Sequence, residues 1–307
     1  MDLSVVVPTL NGRAQLARCL DALADLAPTA EIVVVNGPST DGTSGMVREH
    51  EAVDVLVELA ERNINAARNA GIAASSGDAV AFVGHGSEIG ATWTDRVVEA
   101  IEDGAAAVTG PVHRTVPGGV TAASVESRTV AGRDVTYFDG RNVAFTRETL
   151  QALDGFDEYL DTGGARDAAH RLAGLGRDVE WAPRMSVLWT GESDVADRTA
   201  GMDEGPVRGL KFRSLSYRLV KNYGPRVTVA GRTVRHALGD AGAALKDVVT
   251  GDERPSSWFS DGRLVVSNVA TGAKDGLRAR AADRSPTRNP NGLSSRQDRA
   301  VARYDWR

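Results

Sequence analysis

The chain has 307 residues, a formal net charge of −5 at pH 7 and 42% hydrophobic residues. This composition is typical of a globular protein, and the acidic balance argues against nucleic acid as a partner. The single cysteine, Cys19, excludes an internal disulfide, which suits a reducing compartment. A strand is predicted at the N-terminus without a signal peptide, and no apolar run approaches the roughly 20 residues that span a bilayer. We therefore expect a cytoplasmic protein, either free in solution or peripheral on the inner face of the cell membrane.

The first quarter of the chain alternates apolar runs with amphipathic segments. Continuous apolar runs predict buried parallel strands, and apolar residues at helical spacing predict the helices between them. The predicted strands are 3–8, 31–35, 53–59 and 79–83, and the predicted helices are 14–24, 43–50 and 70–74. This order indicates a parallel sheet with right-handed crossovers.

Residues 61–88 carry the most informative stretch of this region. A polar opening, 62–69, leads into the short alanine-rich helix, which Gly77 is predicted to end in a left-handed conformation. The strand 79–83 then runs into Gly84-His85-Gly86. Open α/β sheets bind their ligands at such carboxyl ends of strands.

The loop after the first strand excludes two common nucleotide-binding classes. It is Pro8-Thr9-Leu10-Asn11-Gly12, and it contains neither a GxGxxG fingerprint nor a P-loop. The loop therefore argues against an NAD-dependent enzyme and against a P-loop NTPase.

Six short motifs, in this order and spacing, resemble those of inverting, GT-A type glycosyltransferases of family 2. They are VVVPTLN (5–11), VVVNGPSTDGT (33–43), NAARNAGI (65–72), GDAVAFV (77–83), GRNVAFTR (140–147) and GFDE (155–158). The resemblance covers about residues 1–190. It implies a GT-A-like α/β fold, in which helices flank a mostly parallel central sheet.

In the family that the chain resembles, the first two strand exits hold the nucleoside of a UDP- or GDP-linked sugar. This role carries over to Pro8, Thr9, Asn11 and Asn36. The family usually has an aspartate at position 36, but an amide both accepts and donates and can still pair with the imide edge of uracil. For Arg68 there are two interpretations: its side chain contacts the diphosphate, or it is exposed on a solvated helix.

The clearest departure from the family is Gly84-His85-Gly86, where a metal-binding DxD-like motif is usual. The next carboxylate is Glu88. Mg²⁺ prefers oxygen ligands, whereas His85 would suit Mn²⁺, so His85 and Glu88 are the candidate metal ligands. Alternatively, Gly84, His85 and Gly86 bind the diphosphate without a metal, since glycines let the backbone approach a phosphate closely. A third interpretation is that donor binding has been lost.

The resemblance also implies a catalytic base at the start of a later helix. Asp167 takes this place, with Arg166 where the family has a glutamate. The helix dipole would lower the basicity of Asp167, so acceptor activation would rely on proximity. Asn142 and Asp161 are candidates for contact with the sugar or acceptor, with a structural turn residue as the alternative for Asn142. A histidine that often completes the family's metal site is absent near residues 189–190.

The last third of the chain contains a basic region. Residues 206–238 carry eight cations, interleaved with apolar residues and without an acidic residue. A basic amphipathic helix favours contact with an anionic membrane surface or a lipid-linked acceptor, and the alternative is a solvated helix face. We predict a strand at 264–266 and a poorly ordered tail at 280–303. The predicted divisions are a GT-A-like domain (1–200), a basic helical region (201–250) and a lid and tail (251–307).

These observations predict an inverting glycosyltransferase that moves a sugar from a nucleoside diphosphate sugar to an acceptor hydroxyl or lipid phosphate. Metal-dependent action with Mn²⁺ or Mg²⁺ and metal-independent action are both open. The alternative is a degenerate, catalytically inactive relative that binds a nucleotide or a partner protein.

Overall fold

A computed structural model describes residues 1–116, 119–121, 124–190, 204–226, 255–285 and 287–307. The chain divides into two units. The first comprises Met1–Tyr159, Gly164–Ser193 and Asn291–Arg307, and the second comprises Leu160–Gly163 and Asp194–Pro290.

The first unit is a mixed α/β domain. Its elements are β1 (Leu3–Thr9), α1 (Arg13–Leu26), β2 (Glu31–Asn36), α2 (Thr43–Arg48), β3 (Val55–Leu59), α3 (Ile64–Ala74), β4 (Ala79–Val83), β5 (Ser87–Ile89), α4 (Trp93–Glu102), β6 (Ala107–Thr109), β7 (Val112–Val116), β8 (Gly119–Val120), β9 (Glu126–Val130), β10 (Arg133–Tyr137), β11 (Asn142–Thr146), α5 (Arg147–Leu153), α6 (Gly164–Gly174), β12 (Val179–Trp181), β13 (Val187–Trp189) and β14 (Ala300–Asp305). The predicted alternation of strands and helices up to β4 is confirmed.

The central sheet has eight strands in the order β12-β6-β11-β4-β1-β2-β3-β14. β11 and β14 run antiparallel to their neighbours, and the remaining neighbouring pairs are parallel. The strand order reverses between β1 and β4, which are adjacent in the sheet and far apart in the chain. This topological switch point is where open α/β sheets form a ligand crevice, outside the carboxyl ends of the strands.

The core on one side of the sheet is built with α1. This helix buries the four residues that its spacing predicts, namely Leu16, Cys19, Leu20 and Leu23. Burial, assisted by the negative charge of Glu88, raises the pKa of the Cys19 thiol to about 12. Cys19 is therefore a small core residue with an unreactive thiol, as the sequence predicts.

Helix α3 starts earlier than the alanine-rich segment suggests. It begins at Ile64, because the Asn63 side chain accepts hydrogen bonds from the backbone N–H groups of Asn65 and Ala66 and caps the first turn. The prediction of a left-handed Gly77 is wrong, since the helix ends at Ser75 in extended conformation. Gly77 is instead required by close packing: a Cβ there would lie 2.7 Å from the carbonyl oxygen of Asp2.

The end of the chain is ordered, contrary to the prediction of a disordered tail. β14 pairs antiparallel with β3 and covers an otherwise open edge of the sheet. Ahead of β14, the Arg296 and Arg299 side chains form ion pairs with Glu158 at 2.9 and 2.6 Å. The predicted division points at residues 200 and 250 lie outside the described residues.

The second unit contains two helices, α7 (Glu204–Tyr223) and α8 (Pro255–Ala282). They pack closely because a Cβ on Gly272 or Gly276 would lie only 2.2 and 2.6 Å from the carbonyl oxygens of Arg213 and Tyr217. The prediction of a strand at 264–266 is wrong, since these residues lie within α8. Amphipathic packing against α7 is a tertiary effect that overrides the β propensity of a three-residue Leu-Val-Val run.

Part of the basic region is used inside this unit. Lys221 is buried with its ammonium group over the Tyr217 ring, and Arg213 forms an ion pair with Asp275 at 3.3 Å. Arg232 and Arg235 lie outside the described residues. None of the described helices has the length and apolar character of a membrane-spanning segment.

Candidate functional site

The loops after β1 and β2 form one rim of the crevice and are joined by hydrogen bonds. The backbone N–H of Gly37 donates to the Thr9 carbonyl at 2.9 Å. Asn11, in the left-handed region at φ 50°, receives a hydrogen bond from the Thr40 N–H on its side-chain oxygen. Its own N–H donates to the Ser39 hydroxyl at 2.8 Å. The rim is therefore preformed, with Asn11 exposed on it.

The other predicted nucleoside ligands lie deeper. Asn36 is buried, its amide N–H donates to Ser44 at 2.8 Å, and its oxygen accepts from Ser39 at 2.6 Å. Asn36 thus holds the rim in shape through both ends of its amide. Pro8 is also buried within β1. The Thr9 hydroxyl is buried and has no hydrogen-bond partner among the described residues, so it remains available to a ligand.

His85 spans the switch point between β1 and β4. A Cβ on Gly12, in the loop after β1, would lie 2.4 Å from Cδ2 of the His85 ring. The other side of the ring meets Trp189 edge to face, with a centroid distance of 6.1 Å. Within the described parts of the chain, neither ring nitrogen of His85 has a hydrogen-bond partner. The imidazole therefore sits in the crevice with its polar atoms unused.

Gly84 leaves no room for the aspartate that the family usually has near this position. A Cβ there would lie 2.9 Å from both Cγ of Arg141 and Cζ3 of Trp189. The Gly84 N–H donates to the Arg141 carbonyl at 3.1 Å, and the Arg141 guanidinium lies over the Trp189 ring at 4.6 Å. A cation and an aromatic ring thus occupy the space beside the strand exit.

The turn 139–141 brings a carboxylate to the same edge, because β11 runs antiparallel to β4 and starts opposite Val83. Asp139 accepts two hydrogen bonds from the Arg141 side chain, at 2.9 and 2.5 Å. Burial alone would raise the pKa of Asp139, but the hydrogen bonds and charge of Arg141, with the charge of Arg68, lower it below its ordinary value. Asp139, Arg141 and Trp189 were not predicted as site residues, although Asp139 directly precedes the GRNVAFTR motif and Arg141 is its second residue.

Arg68 stabilises this turn through hydrogen bonds. It is buried, and its guanidinium donates to the Gly140 carbonyl at 3.1 Å and to the Asn65 side chain at 3.2 Å. The solvated-helix alternative is therefore wrong. Its described hydrogen bonds hold the turn in place.

The two residues predicted to contact the sugar or acceptor lie in environments that differ from this prediction. Asn142 is fully buried: its oxygen accepts from the Trp93 indole N–H at 2.8 Å, and its NH₂ donates to the Pro111 and Met185 carbonyls. Asn142 is therefore a buried structural residue at the start of β11 and not a turn residue, and its side chain is not exposed for contact with a ligand. Asp161 is exposed and belongs to the second unit.

Asp167 is placed where a general base could not reach an acceptor. It is fully buried in the first turns of α6 and forms an ion pair with Arg171, one turn later, at 2.8 Å. The same guanidinium donates to the Leu153 and Gly155 carbonyls at 2.6 and 2.8 Å. Asp167 therefore belongs to a buried structural ion pair, which corrects the expectation of a catalytic base.

The described residues do not fit a divalent metal site at the strand exit. They contain no group of three or more His, Cys, Asp or Glu side chains placed to share a cation. Glu88 is ion-paired with Arg18 at 3.4 Å, which leaves His85 as a lone imidazole donor. A hard cation such as Mg²⁺ needs several oxygen ligands, and the described side chains do not supply them.

A separate cavity of about 560 Å³ lies between α3 and the C-terminal segment. Its lining includes Ala70, Ala74, Arg296 and Arg299 and none of the crevice residues described above. Arg296 and Arg299 are both paired with Glu158, and Arg303, which also lines the cavity, is paired with Asp305. The described arginines of this cavity are therefore all neutralised by carboxylates.

The fold and the crevice correspond to a known family of enzymes. The sequence model of glycosyl transferase family 2 matches residues 4–154, which include β1 to β4 and β11. The domain that these residues form is thus a glycosyl transferase family 2 domain. The resemblance seen in the sequence motifs is thereby confirmed.

Two proteins with similar sequences are also named glycosyltransferases. The chain is 29% identical over 195 residues to the glycosyltransferase AglE of Haloferax volcanii, covering 59% of this chain and 60% of the relative. It is 35% identical over 85 residues to the glycosyltransferase GlyA of Streptococcus pneumoniae serotype 4, covering 26% of this chain and 12% of the relative. The chain thus spans less than two thirds of either relative.

Solved structures support the fold. A mannosyltransferase from Pyrobaculum calidifontis, PcManGT, matches with a TM-score of 0.55 and 16% identity, covering 90% of this chain and 87% of that one. Residues 1–349 of S. aureus TarS match with a TM-score of 0.51 and 15% identity, covering 91% and 92%. The predicted fold, a mostly parallel sheet flanked by helices in a GT-A arrangement, is confirmed.

Proposed function

We propose that this protein is an inverting glycosyltransferase that transfers a sugar from a UDP- or GDP-linked donor to an acceptor hydroxyl or lipid phosphate. The observation that carries the proposal is the family match across the strands and loops that build the crevice. PcManGT was solved with GDP-Man and Mn²⁺, and TarS with UDP-GlcNAc. These neighbours support a nucleotide sugar as the class of donor.

The donor in this proposal lies across the switch point. Its nucleoside occupies the rim formed by the loops after β1 and β2, with Asn11 and the unpaired Thr9 hydroxyl at hand. Its diphosphate lies beside His85, whose ring nitrogens have no partner among the described residues, and beside the backbone of Gly84 and Gly86. Because the described side chains do not form a fitting set of metal ligands, these groups bind the diphosphate through hydrogen bonds in this proposal.

A thermal-shift titration tests donor binding directly, because a ligand of the native state raises the melting temperature. UDP- and GDP-sugars are titrated with EDTA, Mg²⁺ or Mn²⁺ present. We expect a shift in EDTA that is lost in His85→Ala and kept in His50→Ala, which removes a histidine paired with Asp21 away from the crevice. A shift that requires Mn²⁺ would contradict the metal-free binding mode, and no shift with any donor would contradict the proposed function.

A second candidate is a nucleotide-sugar-binding protein without transferase activity. The burial of Asp167 in an ion pair favours it, since the carboxylate expected to activate the acceptor is not available. The two candidates differ in turnover rather than in binding. Donor binding without transfer or donor hydrolysis would support the second candidate.

The acceptor in the leading proposal is lipid-linked, at the inner face of the cell membrane, and the basic region 206–238 contacts anionic headgroups. The support is the eight cations of this region, which contains no acidic residue in an otherwise acidic chain. Sedimentation with vesicles tests it: binding to vesicles with anionic lipid, weakened by salt, is expected. Equal binding to neutral vesicles, or none to either kind, would contradict it.

A further inference from the structure

The start of α6 lacks an available carboxylate. Its first three residues are Gly164, Ala165 and Arg166, and Arg166 forms an ion pair with Glu126 at 2.7 Å. The next residue, Asp167, is sealed against Arg171. If the chain transfers sugars, the group that takes the acceptor proton comes from another element.

The turn 139–141 touches both this helix start and the strand exit. A Cβ on Gly140 would lie 3.3 Å from Cβ of Ala165 on α6. On its other side the turn receives the hydrogen bond from Gly84, directly before His85. The turn therefore lies between the helix that normally carries the base and the place proposed for the diphosphate.

Asp139 differs from the buried carboxylate of α6 in its access to solvent. One third of its side chain is exposed, compared with none of Asp167. Both oxygens of Asp139 are oriented by the Arg141 guanidinium, and Arg68 fixes the backbone of the turn from below. The carboxylate is thus held in one place and is open to solvent. Because its ion pair with Arg141 lowers its basicity, its action as a general base relies on its position beside the acceptor.

We propose that Asp139 is the catalytic base of this site. This rests on the proposed function. The acceptor hydroxyl loses its proton to the Asp139 carboxylate as its oxygen bonds to the anomeric carbon of the sugar. The bond from the anomeric carbon to the diphosphate oxygen breaks in the same displacement, and its electron pair leaves with the nucleoside diphosphate. Arg141 is a positioning residue that aims the carboxylate.

The test compares Asp139→Asn and Asp139→Glu with Asp134→Asn, a control in β10 whose carboxylate accepts from Thr129. Donor hydrolysis is measured first, because water serves as acceptor and no acceptor need be known. General base catalysis is worth about 10² to 10⁴-fold. We therefore expect Asp139→Asn to lose at least about 100-fold in turnover with unchanged donor binding, Asp139→Glu to recover part of it, and Asp134→Asn to match wild type.

Chemical rescue separates a base from a structural support. Formate should restore part of the turnover of Asp139→Ala, because a small carboxylate can replace the missing base and cannot rebuild a turn. Wild-type turnover in Asp139→Asn would overturn the inference and leave the proposed function intact, as would a loss of turnover in Asp139→Ala that formate does not rescue. A wild-type protein that binds donors and neither transfers nor hydrolyses them would overturn the proposed function itself.

Discussion

Two carboxylate–guanidinium pairs in the first unit show how burial assigns different tasks to the same chemistry. Asp167 and Arg171 lie one turn apart on α6, and the side chains of both are fully buried. Asp139 and Arg141 lie two residues apart in a turn, with one third of the aspartate side chain exposed. The first pair closes the helix onto the domain, whereas the second faces the crevice.

The comparison teaches that proximity to a motif does not identify a functional carboxylate. The two charges of a buried ion pair lose their hydration and are stabilised by their mutual attraction. Removal of one member therefore leaves a buried charge without a counter-charge. A pair with a partly exposed carboxylate is screened by water, so its alteration costs less stability. We therefore expect the functional carboxylate to belong to the pair that contributes less to the stability of the fold.

The largest effect is expected for Asp167→Ala. Arg171 would remain buried without its partner, so we expect the free energy of unfolding to fall by about 3–5 kcal/mol. Urea denaturation followed by circular dichroism measures this. Adding Arg171→Leu should recover part of the loss, though not all, since the Leu153 and Gly155 carbonyls lose their donors. A decrease in the free energy of unfolding of less than about 1 kcal/mol would be typical of a solvent-exposed ion pair and would contradict the buried one.

An intermediate effect is expected for Gly84→Ala, next to the second pair. The new methyl group would press on Arg141 and Trp189, both 2.9 Å from the Cβ position, and overpacking of this kind costs about 1–3 kcal/mol. Gly45→Ala in α2 is the matched control, because no atom lies within 4 Å of its Cβ position. We expect the control to be neutral or more stable, since alanine favours helix more than glycine. Equal effects of both variants on the melting temperature would contradict the packing around Gly84.

The smallest effect on the free energy of unfolding is expected for Asp139→Asn, and this effect depends on pH. The pKa of Asp139 is lowered in the folded state, so its contribution to stability is present above the unfolded-state value of about 3.9 and is lost as the pH falls below it. The difference in unfolding free energy between wild type and Asp139→Asn should therefore shrink between about pH 4 and pH 2. Urea titrations across this range measure it, with Asp134→Asn as the baseline. A difference that stays constant with pH would show that the charge of Asp139 does not act on folding.

Much of the architecture was accessible from the sequence, for local reasons. Continuous Val-rich runs can be buried on both faces only in a covered parallel sheet, and the face of α1 follows from its spacing. Helix α3 was placed too late, because the cap at Asn63 outweighs the polar character of its first turn. The strand β14 was missed, since its partner β3 lies more than 240 residues earlier in the chain and only the tertiary fold offers it that edge.

The sequence by itself determined the alternation of strands and helices up to β4, the family motifs and the glycine-flanked histidine at the exit of β4. These are properties of neighbouring residues, and periodicity and motif spacing report them. Only the tertiary structure decided which polar groups are spent on folding and which remain for a ligand. Asn36, Asn142 and Asp167 resemble site residues in the sequence, yet they are buried and their hydrogen bonds run to hydroxyls, carbonyls and a guanidinium group of the protein itself. Asp139 reaches the crevice because an antiparallel strand brings its turn beside Gly84, a contact that no local pattern contains.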